Sequence, residues 1–434
     1  MRAPPAGLVP PPLSRHLCRA MSEATPAPLS LPHRLWRLLP AGPRRRVLVG
    51  VTAALAPRPD RTIPPAGAGL LVVGEFSRAS GLGEGARLML HALETLGVAS
   101  WRLDIAASMW PGAAPDLALS QASPAAPPPG AALLLHANPP ILPWVLLRQP
   151  RRMLRGRRVI GFWNWELETV PPSWHVGASL VHEAWVSSRF TAGAIEKLMP
   201  GRVRVVPYPL AIAPPAPSAR DRASFGLPAE AVIVLVSFNL ASSFVRKNPL
   251  AALAAFRAAF GDRADRLLLL KVGNPGSAPE DFRTLAAAAS SSPNIRLFTE
   301  VLSGPDNHAL TCAADIVLSL HRSEGFGLVP AEAMLLGKPV VATGWSATLE
   351  FMDQTSAALV GCRLIPARDP RGVFEAPGAV WAEPDIAEAA AHLARLAEDP
   401  AARAALGARA KAFVRARLGA GALEAALSAI GLDR

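Results

Sequence analysis

From Gly69 onward, short apolar runs alternate with helical patterns. "LLVVGEF" is followed by a helix over 84–96, then "SWRLDI", "AALLLHAN", "RVIGFWN", "EAWVSS" and "RVRVVPYP". Parallel strands need a crossover long enough to hold a helix, so this rhythm predicts βα units in a parallel sheet. A proline-rich junction, Pro207 to Pro217 ("PYPLAIAPPAP"), interrupts it, and the pattern restarts with "AVIVLVSFN", a helix over 249–260, "RLLLLKVG", "IRLFTE", "ADIVLSL" and "KPVVAT". At 434 residues the chain is too long for one ordinary core. The expected architecture is α/β, with two Rossmann-like doubly wound domains facing a cleft. The boundaries read as a Pro/Arg-rich extension at 1–66, an acceptor-side domain at 67–212, a donor domain at 213–383 and closing helices at 384–434.

Charge and cysteine usage narrow the class. Of the net charge of +12, residues 1–66 carry +8, ten Arg against Glu23 and Asp60. A nucleic-acid reader would line a folded face with its cations, so this distribution suits an arm that touches an acidic surface, such as an anionic membrane. The extension reads as mostly disordered, with Leu31–Leu39 able to form a short amphipathic helix, and Met21 is an alternative start to Met1. Every apolar run is shorter than the roughly 20 residues needed to span a bilayer, and no signal-peptide core follows the early arginines. Cys18, Cys312 and Cys362 are too few and too scattered for a disulfide framework or a cysteine metal site, which suits a cytoplasmic protein.

The densest candidate for chemistry is "HRSEGFGLVPAEAMLLGKPVV" at 321–341, an E-x7-E spacing of Glu324 and Glu332 around a Gly-Phe-Gly turn. "ADIVLSL" before it reads as a buried strand and "LVPAEAMLLG" after it as a helix stopped by Gly337. Ligands of doubly wound sheets bind beyond the carboxyl ends of the strands, where Glu324 then lies. Backbone N–H groups of Gly325 to Leu328 at a helix start suit an anion, and the carboxylates suit the hydroxyls of a sugar and a ribose. An ordinary loop acid followed by an ordinary helix acid is the bland alternative, and the strand, turn and cap in register favour the ligand reading.

On "EGFGLVPAEAMLLGKPVVAT" and "SFNLASSFVRKNP", the segment from about Val232 to Thr343 resembles the donor domain of a family 4 glycosyltransferase with the GT-B fold. The resemblance implies that Glu324 with Gly325, Phe326, Gly327 and Leu328 holds the donor sugar and phosphates, and that Glu332 holds the ribose. It also implies that Arg246 and Lys247 neutralise the leaving diphosphate. Family members commonly carry the Arg several residues ahead of the Lys, where this chain has Ser242. A retaining transfer (a hexosyltransferase) without a bound metal or cofactor follows from the resemblance, with a nucleotide-diphosphate sugar as donor.

In the first domain, "GEFSRASGLGEGARLML" formally satisfies G-x-G-x-x-A at Gly81, Gly83 and Ala86, with Asp104 downstream. The turn is longer than a dinucleotide fingerprint needs, and the family role for Gly81, Gly83 and Glu84 is a loop across the cleft beside donor phosphates and acceptor. "GFWNWELETVPPSW" resembles a bacterial polysaccharide subgroup with a W-x-W-E-L run, Trp163 and Trp165 serving either as core or as a stacking platform. Where many members carry a His, this strand reads Asn164 and Glu166, so the acceptor-side group is open among Asn164, Glu166 and His136. The run "RQPRRMLRGRR" holds six Arg and reads as a solvated helix face or a membrane-facing surface. The implied partners are a glycan or polyprenyl-linked acceptor and the inner membrane face, in exopolysaccharide, lipopolysaccharide or other glycoconjugate assembly. Two other classes stay open: a GT-B scaffold without catalysis, and an NAD(P)-dependent oxidoreductase using Gly81 and Asp104.

Overall fold

The computed structural model describes residues 41–109, 115–117, 126–374 and 376–432, with only the backbone of 41–43, 45 and 46. The stretch Leu31–Leu39 lies outside the described residues. Within the extension, where sequence alone suggested disorder, Ala41–Leu55 is a helix, and Ala66 is fully buried. No helix among the described residues is long and apolar enough to cross a membrane.

Fourteen strands form among the described residues. β1 (Leu70–Gly74), β2 (Ser100–Asp104), β3 (Ala132–Leu135), β4 (Val159–Trp163), β5 (Glu183–Val186) and β6 (Val203–Val205) make one sheet in the order β2-β1-β3-β4-β5-β6, all parallel. β7 (Val232–Asn239), β8 (Arg266–Gly273), β9 (Ile295–Phe298), β10 (Ile316–Ser319), β11 (Val340–Thr343) and β12 (Ala358–Val360) make a second, order β12-β11-β10-β7-β8-β9, again parallel. Central strands β1, β3, β4 and β5 are buried along their whole length, while edges β2 and β6 are half-buried. Helices on both faces of a parallel sheet require those continuous apolar runs.

Strand order reverses between β1 and β3 in the first sheet and between β7 and β10 in the second. A crevice opens at such a reversal, because the flanking connections leave to opposite faces. The two sets of strand ends face each other. The side chains of Asn239, the last residue of β7, and Asn274, just beyond β8, donate to the Ala79 carbonyl beyond β1 at 2.9 and 3.3 Å. Across the same gap, the Ser187 and Ser188 hydroxyls beyond β5 donate to the Gly325 carbonyl beyond β10 at 3.2 and 2.7 Å.

Two elements differ from the expectation. The helix after β1 runs Gly81–Thr95, because Ser80 caps it by accepting from the Gly83 N–H at 3.1 Å. An antiparallel hairpin, β13 (Cys362–Pro366) with β14 (Val380–Pro384), leads into the closing helices Ile386–Glu398, Pro400–Arg417 and Gly421–Ser428. The arginine run is not one helical face. Only Arg151–Met153 turns helically; Arg148, Arg151, Arg152 and Arg155 are exposed, whereas Arg157 donates to the Ala131 carbonyl and Arg158 pairs with Glu183.

Candidate active site

The switch point between β7 and β10 carries a cluster of four charges. After β7, Ser243 caps a single turn, Phe244–Lys247, by accepting from the Arg246 N–H at 3.2 Å. Asn248 ends the turn in the left-handed region (φ 52°), which asparagine tolerates well, and Pro249 starts the next helix. This places Arg246 and Lys247 side by side beneath the loop that follows β10.

Lys247 Nζ lies 2.5 Å from Glu324 Oε1, and Arg246 Nη1 lies 3.2 Å from the same oxygen. The other arm of Arg246, Nη2, lies 3.3 Å from Glu166 Oε1 of the first domain. Arg246 is only 2 % exposed and is fixed further by the Ser323 carbonyl and the Ser242 hydroxyl, each at 2.7 Å, with the Phe374 ring 5.1 Å beneath. Ser242, at the position where the resemblance leads one to expect an Arg, accepts from this guanidinium.

Burial alone would raise the Glu324 pKa, but Lys247 and Arg246 outweigh it and hold the carboxyl at about 2. Burial lowers Lys247 against the pull of Glu324, and Arg246 is raised because Glu166 and Glu324 overcome its burial. Glu166 is raised by burial, which Arg246 offsets only in part. His321, beneath Glu324, is driven to about 4 by burial and stays neutral. Two cations and two anions therefore sit in balance, and an incoming anion must exchange with an acid already there.

Gly325 and Gly327 are needed for different reasons. A Cβ on Gly325 would fall 2.6 Å from the Trp165 carbonyl, so the first domain presses on the turn. Gly327 has φ +100° and forms the start of the helix Leu328–Leu335, whose end is followed by Gly337 at φ +74°. The Phe326 side chain turns away into the core, 5.2 Å from both Tyr208 and Phe351 ring centroids, leaving its backbone at the crevice. Glu332 lies on the helix 4.0 Å from His308 Nε2, its pKa raised by burial and by Glu84.

Gly81, Gly83 and Glu84 form the first turn of their helix. A Cβ on Gly83 would be 2.5 Å from the Glu75 carbonyl, so the loop closes tightly there. Glu84 pairs with Arg87 at 2.6 Å. Residues 75–80 separate β1 from this helix, and Asp104 accepts from the Ala106 N–H at 3.0 Å. His136 is buried and stacked on Phe162 at 4.5 Å; burial drives its pKa to about 3, and neither ring nitrogen has a hydrogen-bond partner among the described residues. Asn164 is occupied structurally: its amide meets the Tyr208 hydroxyl at 3.1 Å and the Ser187 hydroxyl at 3.0 Å, and its backbone exchanges hydrogen bonds with Asn138. Trp163 and Trp165 are both core, Trp165 stacked on Phe374 at 5.2 Å. Of the acceptor-side candidates, only Glu166 reaches the charged cluster.

Sequence reasoning missed His308, Tyr208 and the hairpin loop at 367–379. In that loop buried Asp369 accepts from the Ser243 hydroxyl at 3.0 Å and from the Val373 N–H at 3.0 Å, and Phe374 slides between Trp165 and Arg246. Among the described residues no group of three or more His, Cys, Asp or Glu is placed to hold a metal.

Comparison with known proteins places this geometry. Residues 232–398, from β7 to the end of the first closing helix, match the family described as Glycosyl transferases group 1. D-inositol 3-phosphate glycosyltransferase of Acidothermus cellulolyticus is 31% identical over 193 residues, 43% of this chain and 41% of that protein. The chain therefore spans less than half the length of the curated relatives it matches. Sucrose-phosphate synthase of Thermosynechococcus elongatus superimposes over 83% of this chain and 98% of its own, at TM-score 0.58 and 18% identity. Anabaena HepE, solved with UDP and glucose, covers the same shares at TM-score 0.56 and 13% identity. The fold is GT-B, and the match to glycosyl transferases group 1 falls on the second domain and the first closing helix.

Proposed function

We propose that this protein is a retaining glycosyltransferase that moves a hexose from a nucleotide-diphosphate sugar to a glycan or polyprenyl-linked acceptor in cell-surface glycoconjugate assembly. The observation that carries this reading is the contact of Glu324 with both Lys247 and Arg246 at the switch point, directly before the glycine turn that starts a helix. Lys247 and Arg246 meet the diphosphate, where negative charge grows as the glycosidic bond breaks. Glu324 accepts from sugar hydroxyls, and Glu332 accepts from the ribose. The UDP in the Anabaena neighbour and the naming of the curated relatives both support a nucleotide sugar as donor.

The acceptor enters along the first domain at Glu166. An anionic membrane is a fitting surface for a lipid-linked acceptor, because Arg148, Arg151, Arg152 and Arg155 are exposed beside exposed Trp144 and Leu147. Arg58, Arg151 and Arg155 also line a cavity of about 420 Å³. Each such cation adds about 1 kcal/mol near an anionic leaflet. Calorimetric titration with UDP, GDP, ADP and NAD tests the donor site: one nucleoside diphosphate binds, and Lys247→Ala weakens it at least tenfold. Binding of NAD alone overturns the reading, and silence from every ligand favours a scaffold.

A further inference from the structure

The donor-site reading leaves one contact unexplained. A first-domain acid, Glu166, crosses to the cation that a diphosphate would need, and it does so from a backbone that is held in place on both sides. The Ser323 hydroxyl holds the Glu166 carbonyl, and the neighbouring Trp165 ring is wedged against Trp174 and Phe374. Arg246 is equally fixed, so only the Glu166 side chain is free to exchange.

Glu324 and Glu166 are not equivalent partners. Glu324 is 11 % exposed and meets both cations, whereas Glu166 is 20 % exposed and meets Arg246 alone, at 3.3 Å. The Arg246 Nε–H is buried with no partner among the described residues, so this guanidinium has donor capacity that neither acid fills. A diphosphate oxygen brings both charge and the missing acceptor.

Resting on the donor-site reading, we infer that Glu166 is an internal stand-in for the donor diphosphate: it holds Arg246 in the free protein and is released when a nucleoside diphosphate takes that guanidinium. The released carboxylate then faces the cleft, where it can accept the hydrogen bond of an acceptor hydroxyl. Donor binding arms the acceptor side, and the order of binding is donor first. The groups facing Glu166 are Arg246, Lys247 and Glu324, with His321 beyond Glu324 and Asp369 behind Arg246. Once the diphosphate occupies the fixed Arg246, the Glu166 carboxylate loses its counter-charge and gains a neighbouring anion, which raises its affinity for a proton, so it becomes a better acceptor for a hydroxyl and binding draws a fraction of a proton toward it.

The test is titration of the full-length protein with UDP, GDP and ADP in buffers of different ionisation enthalpy. Glu166→Gln binds the preferred diphosphate at least fivefold more tightly than wild type and takes up fewer protons on binding. Glu168→Gln, which removes an exposed acid two residues along, stays within twofold. Should Glu166→Gln fold poorly by thermal melting, Glu166→Asp keeps the charge but is too short to reach Arg246, and shows the same tightening. Unchanged affinity and proton count in Glu166→Gln, with Lys247→Ala still weakening binding, overturns the stand-in and leaves the donor site intact. Equal tightening by Glu168→Gln reduces the effect to bulk charge and overturns it as well. No binding of any diphosphate by wild type or variant brings down both readings.

Discussion

The two walls of the cleft are built from opposite materials. The second-domain wall concentrates charge, with Arg246, Lys247 and Glu324 packed within hydrogen-bond reach. The first-domain wall opposite the cluster is mostly neutral around Glu166: Asn164, Tyr208, Ser187 and Ser188 form a closed hydrogen-bond network, and His136 is stacked and uncharged, while the charge of Glu84 lies further along, paired with Arg87 and facing Glu332. A wall of fixed charges stabilises an anion without reorganising, while a wall of satisfied neutral groups holds shape. The chemistry of the proposed transfer thus falls on the second wall and the geometry on the first.

Phe326 carries the largest expected effect across that division. It sits in the charged wall's signature turn yet packs between Tyr208 and Phe351, so it is the neutral wall's anchor in the other domain. Phe326→Ala is expected to destabilise the protein by about 3–5 kcal/mol through loss of buried area and the cavity left behind. Denaturant unfolding checks it. A cost below about 1 kcal/mol would mean that Phe326 faces the ligand instead.

Glu324→Gln tests the charged wall directly. One charge-assisted hydrogen bond is worth about 1.5–3 kcal/mol, so turnover is expected to fall at least tenfold. Donor binding falls less than turnover, because the amide still fits the pocket. Steady-state kinetics with the preferred nucleotide sugar separate the two, and unchanged turnover removes Glu324 from the mechanism.

How far each wall was legible in the sequence follows from the same contrast. The charged wall is local: strand, glycine turn and capped helix run in register from Ile316 to Gly337, and the helix over 249–260 is observed as Pro249–Phe260. The neutral wall is assembled over distance. Asn164 and Tyr208 lie 44 positions apart and Ser188 and Gly325 lie 137 apart, so no spacing in the chain announces their contacts. Glu166 is one of three acceptor-side candidates in the sequence, and nothing local distinguishes it from Asn164, whose amide the fold consumes. The hairpin at 362–384 escaped because a loop with Pro370, Gly372, Pro377 and Gly378 separates its strands, a composition that reads as irregular.

His136 tests whether the neutral wall is neutral by necessity. Its pKa is about 3 in the folded protein against 6.5 when unfolded, so the unfolded chain binds more protons between those values. Stability is therefore fully present above pH 6.5 and falls as pH drops through that window, by on the order of 1 kcal/mol per pH unit from this group. His136→Phe flattens that slope, measured by melting from pH 7 to pH 4. An unchanged slope would assign the acid sensitivity to other groups and place a charged His136 in the wall.

The smallest expected effect bears on whether the two walls act separately. Glu350 of the second domain donates no charge to the cluster; its two oxygens instead accept from the Arg189 and Phe190 N–H groups, each at 2.9 Å, and so cap the first-domain helix Arg189–Glu196. Glu350→Ala is expected to cost about 1 kcal/mol, the worth of a cap at a helix N-terminus, and to lower the melting temperature by roughly 2 °C. Diphosphate affinity stays at the wild-type value if shape and charge are divided between the walls as argued. A matching loss of affinity would show that the capped helix, which also presents Ser188 and Thr191 to the Gly325 carbonyl, sets the position of the glycine turn, and the two walls would then act as one device.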